Sequence, residues 1–292
     1  MDERLHCYRH PNRETYVSCS ECGRGICPDC MVFAPVGIRC PDHASIGAPR
    51  PSATRTVRQA RGRMTGLAAP VTSALIAINV LVYLITVGQG AGINAPGGNI
   101  FQKGELIGYS VGQGDWWRLF TAMFLHGGVL HIAFNMAALW WLGSVVEQAL
   151  GPLRFLLLYL AGGLAGSAGA LVLPITHVSG GWSTQYQPFV PTVGASGAIF
   201  AILGALLVLE YLQTGSLAGQ AMSMIVLNLA LSAAIPNISI GGHVGGLIGG
   251  IAGTFALSRT RYVRPRYIGP LLVVLVGAIS VALAVARAKR YI

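Results

Sequence analysis

Of 292 residues, 53% are hydrophobic and only 10% charged, which excludes an ordinary soluble domain, where about 25% carry charge; the chain reads as an integral, multi-pass membrane protein. The formal net charge of +10 comes from two basic blocks, Arg50, Arg55, Arg58, Arg61, Arg63 and Arg259, Arg261, Arg264, Arg266, each beside an apolar segment. Blocks so placed mark cytoplasmic helix ends lying against anionic lipid rather than nucleic-acid sites.

The Met-Asp-Glu start lacks the basic-then-apolar order of a signal peptide, so the N-terminus is expected in the cytosol, where thiols stay reduced. All six cysteines fall between residues 7 and 40, in four pairs: Cys7-x-x-His10, Cys19-x-x-Cys22, Cys27-x-x-Cys30 and Cys40-x-x-His43. Two intervening residues let both side chains of a pair turn onto one ion, and eight ligands make two tetrahedral Zn²⁺ sites; disulfides would leave His10 and His43 unexplained. A cross-brace would group Cys7, His10, Cys27, Cys30 and Cys19, Cys22, Cys40, His43, while sequential pairing also fits the spacing.

This spacing resembles the B-box type of zinc finger over about 40 residues. The resemblance implies a module, residues 1–45, that binds protein partners or assembles. The plainer reading is that structural zinc supplies a core to a segment too short to build one. Five Arg against six acids in residues 1–49 offer no basic footprint, so no nucleic acid is expected.

Residues 46–68, rich in Pro, Ala, Arg and Gly without an apolar period, read as a basic linker. Seven apolar segments follow, at 69–89, 119–149, 153–174, 196–212, 217–235, 240–258 and 268–287, the fourth and sixth near the lower limit of ~17 residues for a span. With the N-terminus inside, the first runs outward and Arg259 to Arg266 return to the inside, in accord with the positive-inside rule. Arg287, Lys289 and Arg290 would then lie outside, against the rule. The plasma membrane, with a cytoplasmic N-terminus, is the expected location.

Within Gly194-Ala-Ser-Gly197 a serine stands at the mouth of an apolar helix. Histidines number seven, and His243 sits in a glycine ladder whose rows Gly242, Gly246, Gly250 and Gly245, Gly249, Gly253 repeat every four residues. Such rows stack on a helix face and admit another backbone. The fourth segment has its own small stripe, Gly197, Ala201, Gly204, Ala205, so these two helices are natural partners. Running in the same direction, they place Ser196 and His243 at similar depth, and His131 and Asn135, spaced i,i+4 near the start of the second segment, join them. Polar groups collected inside a membrane bundle mark a site by default.

A neutral imidazole at His243 can take the Ser196 proton as the hydroxyl attacks a carbonyl. The Ser196 amide at a helix start, His131 and Asn135 are suitable oxyanion donors. Glu210 lies far along the Ser196 helix, and Glu105 and Asp115 belong to an external loop, so a Ser-His dyad is expected rather than a triad.

Here the sequence resembles the rhomboid family of intramembrane serine proteases. The resemblance rests on Trp117-Arg118, His126, His131-x-x-x-Asn135, Gly194-Ala-Ser-Gly197 and Gly242-His243-x-Gly-Gly246 in order, over residues 69–258. It implies Ser196 as nucleophile, His243 as base, His131 and Asn135 as oxyanion donors, structural roles for Trp117, Arg118, His126 and Glu147, and single-span membrane proteins as substrates. The fold it implies is an α-helical membrane bundle of six helices, here with a basic loop and a seventh, C-terminal transmembrane helix in residues 259–292. One departure is Phe200, where members often carry a tyrosine stacked on the histidine; a phenyl ring can stack as well. Two other readings use the same residues: a catalytically silent, client-binding relative, and a transporter or channel lined by His131, Asn135 and His243. No inverted repeat and no mid-membrane charged pair supports the last.

Overall fold

The computed structural model describes residues 5–33, 37–44, 69–178, 181–183, 185, 188–261 and 263–291. The chain divides into two compact units, Met1–Gly66 and Leu67–Ile292. The linker 46–68, with Arg50, Arg55, Arg58, Arg61 and Arg63, lies outside the described residues.

In the first unit β1 (Leu5–Cys7) pairs antiparallel with β2 (His10–Thr15), and β3 (Val32–Phe33) with β4 (Ile38–Arg39), before a helical turn at Pro41–Ala44. Its buried cluster consists of Ile26 and five cysteines, Cys7, Cys19, Cys27, Cys30 and Cys40. Among the described residues of this unit Ile26 is the one fully buried aliphatic side chain, with Tyr8, Val17, Met31 and Ile38 packed against the cluster, a small core for an independent unit.

The second unit is helical: α1 (Pro70–Gln89), α2 (Val129–Leu150), α3 (Pro152–Val172), α4 (Ser196–Thr214), α5 (Gln220–Ala234), α6 (Ile240–Arg259) and α7 (Ile268–Ala288). All but α5 are long and apolar enough to cross a membrane. At 15 residues α5 reaches about 22 Å, short of the ~30 Å hydrocarbon layer. A short hairpin, β5 (Thr176–Val178) with β6 (Gly181–Ser183), lies between α3 and α4.

The second apolar segment, expected over 119–149, begins ten residues later. Arg118–Thr121 forms a short helix and Ala122–Phe124 a 3₁₀ turn, and the membrane helix starts at Val129. Gly127 and Gly128, both poor helix formers, separate the two. Farther along, Leu139–Gly143 widens into a π turn in which Trp140 and Trp141 are exposed.

Buried polar groups tie the ends of the bundle. Glu147, near the end of α2, accepts from the amides of Val71 and Thr72 and from the Thr72 hydroxyl at 2.7–3.0 Å. A carboxylate there satisfies orphan donors and complements the positive end of α1. Glu210 does the same for α5, accepting from the amides of Gln220 and Ala221 at 2.9 and 2.8 Å. At the other end Arg118 is buried and gathers the loop between α1 and α2, donating to Asp115 and to the carbonyls of Gln102 and Glu105. The tail of α7 packs here too, with Ala284 and Ala288 in one apolar cluster with Leu106 and Val111.

The centre is α3, α4 and α6. The two glycine rows of α6 serve two partners: a Cβ at Gly246 or Gly250 would fall on the carbonyls of Gly197 or Ala201 of α4, and one at Gly245 on the carbonyl of Ala165 of α3. The register rises together along α4 and α6, from Gly197 beside Gly246 to Ala201 beside Gly250, so these helices are parallel. It runs oppositely between α3 and α6, from Gly169 beside Gly245 to Leu158 beside Gly253. Backbone approach of this kind gives dispersion contact that bulkier faces cannot reach.

Gly246→Leu should therefore destabilise the bundle by at least about 2 kcal/mol in a detergent unfolding assay. Gly88→Ala, where a Cβ meets nothing within 4 Å, should stay within about 1 kcal/mol of wild type. Equal stabilities for the two variants would contradict this packing.

Candidate active site

Ser196 is the first residue of α4 and His243 lies in the first turn of α6, whose N-cap Ser239 accepts from the Gly242 amide. Because the helices are parallel and in register through their glycines, the two side chains meet: Ser196 Oγ lies 2.9 Å from His243 Nε2. The phenyl ring of Phe200, one turn below the serine, stacks on the imidazole at 4.2 Å and 14°. An aromatic face fixes the plane of the imidazole while leaving both nitrogens free to hydrogen bond.

The other nitrogen of His243 also has a partner, which the sequence reading did not identify. Nδ1 lies 2.7 Å from Oγ of Ser232, in α5, and the Ser232 hydroxyl donates to the Asn228 carbonyl at 2.6 Å. A hydroxyl has one proton. With the Asn228 carbonyl as its acceptor, the Ser232 hydroxyl has lone pairs open to Nδ1–H, and in that tautomer Nε2 faces Ser196 as an acceptor. A signal was present, for Asn228 and Ser232 stand i,i+4 in an apolar helix just as His131 and Asn135 do.

His131 has the opposite arrangement. Its Nδ1 accepts from the Gly127 amide at 3.4 Å, so in the neutral ring the proton sits on Nε2. That nitrogen faces Gly194: a Cβ there would start 2.7 Å from it and 3.8 Å from Ser196 Oγ. Gly194 is thus required twice, for this clearance and for its φ of +131°. Its amide is held by the Ala122 carbonyl at 2.9 Å, while Leu106 and Thr192 exchange two backbone bonds, so the loops at this end of the bundle position the approach to α4.

Asn135 is buried, and its Nδ2 donates to the His131 carbonyl at 2.8 Å, leaving one amide proton for another acceptor. His126 packs edge-on against His131 at 5.1 Å, and burial, reinforced by His131, pushes its pKa down to about 3, so it stands neutral. The Ser196 amide, at the start of α4, has no i−4 carbonyl to bind and lies at the positive end of the helix dipole. An unprotonated nitrogen beside a hydroxyl, facing N–H donors, suits acyl transfer. His177 lies in a strand whose side chains are not among those described.

In the first unit the eight cysteines and histidines gather as Cys7, His10, Cys27, Cys30 and as Cys19, Cys22, Cys40, His43, with the ligand atoms of each group within 4.8 Å of one another. This is the cross-brace, and it decides between the two pairings the spacing allowed. Both histidines present Nδ1. Sulfur lies 3.4–3.8 Å from His10 Nδ1 and 3.2–3.9 Å from His43 Nδ1. The edges of a tetrahedral site with sulfur at ~2.3 Å and nitrogen at ~2.0 Å are about 3.5–3.8 Å, so both groups fit a metal ion.

Comparison with known proteins agrees with this picture. The Rhomboid domain model matches residues 113–260. The chain is 37% identical over 179 residues to Rhomboid protease GluP of Bacillus subtilis (strain 168), covering 59% of this chain and 32% of that protein. It is 30% identical over 193 residues to Putative rhomboid protease YdcA of the same organism, covering 65% of this chain and 87% of YdcA. With Rhomboid protease AarA of Providencia stuartii it shares 28% identity over 149 residues, covering 50% and 53%. The matched region thus spans a third of GluP, half of AarA and most of YdcA.

Proposed function

This chain belongs to the rhomboid family, and on that premise we propose that it is an intramembrane serine endopeptidase acting through a Ser196–His243 dyad. The observation that carries the reading is the 2.9 Å bond from Ser196 Oγ to His243 Nε2, with Nδ1 bonded on the far side. As Oγ attacks the scissile carbonyl carbon, its proton passes to Nε2 and the carbonyl π electrons move to oxygen. The Ser196 amide, the His131 Nε2–H and the remaining Asn135 amide proton receive the oxyanion. The intermediate collapses, the C–N bond breaks, and Nε2–H protonates the leaving amine. Water then repeats the sequence on the acyl-serine, with His243 again as base.

Ser196→Ala and His243→Ala should each abolish cleavage of a single-span reporter in the full-length protein while leaving it folded and membrane-inserted. His131→Ala should lower kcat by up to ~10²–10³-fold, with smaller losses where the remaining donors compensate. A fluorophosphonate should label the wild type at Ser196, which separates a protease from a client-binding relative or a transporter. Full activity in either dyad variant would end this reading.

The first unit is a two-zinc, B-box-like module whose eight ligands are those gathered in the structure. Zinc bound there supplies the cross-link that so small a core does not. A protein partner fits such a module, and the basic juxtamembrane segments suit anionic lipid with the N-terminus on the cytoplasmic side of the plasma membrane. Metal analysis of the purified chain should give two zinc per molecule. One or none would refute the eight-ligand assignment. Removing residues 1–45 should leave reporter cleavage in detergent intact, since no ligand belongs to the dyad.

What is cut follows from where water and the nucleophile meet. Ser196 opens α4 at the outer end, and a continuous substrate helix hides its carbonyls in i→i−4 bonds, so the substrate must unwind locally. Segments with Gly, Ser or Pro unwind at least cost, and small residues fit beside glycine-rich helices. The short α5 and the Pro236-Asn237 turn form the lateral entrance. Cleavage should map by mass spectrometry to the outer end of a single span, after a small residue, and replacing a nearby helix breaker with Leu should slow it. A cut in the cytoplasmic third would overturn both the substrate account and the orientation.

A further inference from the structure

A dyad base must keep one nitrogen bare toward its nucleophile, and a neutral imidazole carries its single proton on either nitrogen. In proteases with a buried carboxylate behind the histidine, the carboxylate holds that proton in place. Among the described residues no carboxylate bonds His243. The group behind it is the Ser232 hydroxyl, 4% exposed, 2.7 Å from Nδ1. We propose that Ser232 is the positioning residue of the dyad: its hydroxyl, committed as donor to the Asn228 carbonyl, accepts Nδ1–H and so holds His243 with Nε2 bare toward Ser196. The inference rests on the dyad reading above.

The geometry supports this role in three ways. The Ser232 to Asn228 bond is an i→i−4 bond within α5 at 2.6 Å, so the Ser232 proton has a carbonyl acceptor within its own helix and the oxygen keeps lone pairs for Nδ1–H. His243 is itself only 6% exposed, so Nδ1–H has little water to turn to if Ser232 is lost. The stacked Phe200 ring fixes the plane of the imidazole and has no hydrogen-bonding atom with which to choose between its nitrogens. A hydroxyl bond also stabilises the imidazolium that forms as Oγ attacks, because Nδ1–H becomes a charge-assisted donor at that moment.

Threonine and valine have nearly the same shape and differ in the hydroxyl, so full-length Ser232→Thr and Ser232→Val separate packing from hydrogen bonding. The Val variant should lose kcat by about 10–100-fold, the factor for one buried unsatisfied donor, with KM within about twofold of wild type. Fluorophosphonate labelling of Ser196 should slow by a similar factor. The Thr variant should recover most of both. Wild-type kcat and labelling in the Val variant, or equal losses in Thr and Val, would overturn the proposal. If the Val variant fails to fold, Ser232→Ala takes its place in the comparison and is read against Thr in the same way. A wild type that neither cleaves nor labels would instead refute the dyad, and the Ser196→Ala control distinguishes the two failures.

Discussion

The structure depends on how closely three backbones approach one another. Helices α3, α4 and α6 meet at Gly166 and Gly197, at Gly169 and Gly245, and where Gly250 lies against Ala201; a side chain added at any of these glycines would collide with main-chain atoms. In lipid there is no hydrophobic drive to press helices together, so contact must come from shape, and small residues supply it. The Ser196 to His243 distance is set by this contact. Both side chains stand in the first turns of parallel helices whose axes are brought together where Gly246 meets Gly197 and Gly250 meets Ala201. A slightly wider α4–α6 spacing would leave the nucleophile and its base out of reach, whatever the quality of the outer loops.

On that frame the polar groups divide by position. Glu147 and Glu210 sit at one end of the bundle and each neutralises the amino end of a neighbouring helix, α1 and α5. Arg118 sits at the other end and binds carbonyls of the loop over the site. Between them the two site histidines carry opposite tautomers for one reason: each nitrogen turned away from Ser196 has a partner of fixed polarity. The Gly127 amide can only donate and the committed Ser232 hydroxyl accepts, so His131 turns a proton toward the serine and His243 a lone pair.

What was legible in the sequence were features with short, fixed spacing. The Cys-x-x-Cys and Cys-x-x-His pairs, the four-residue glycine rows and the His131/Asn135 pair are local patterns, and a period or a bite angle carries them. Which of the four pairs gather into one group was not legible, because that depends on how two hairpins fold back. The start of α2 was misjudged because Leu119 to Leu125 is apolar enough to read as helix, and the Gly127-Gly128 break lies inside an otherwise continuous apolar run. Ser232 was passed over because its importance lies in a single contact across helices. A lone serine in an apolar helix most often back-bonds to its own turn, as Ser232 also does.

The same contact gives α5 a double character. Its inward face buries Ala221, Ile225 and Ser232, with Met222, Met224 and Leu229 packed against the same core, while Val226, Leu227 and Leu231 face outward. Polar contacts add to this at both ends: the Glu210 carboxylate at its start and the Ser232 bond to His243 near its end. A helix fixed that way can swing about the Glu210 cap, whose two charge-assisted bonds outlast the loss of one neutral bond. Swinging outward would open the side of the bundle next to Ser196 and at the same time take the hydroxyl away from Nδ1. Access and base alignment would then oppose each other, and the dyad would be aligned only once α5 had returned over a seated substrate.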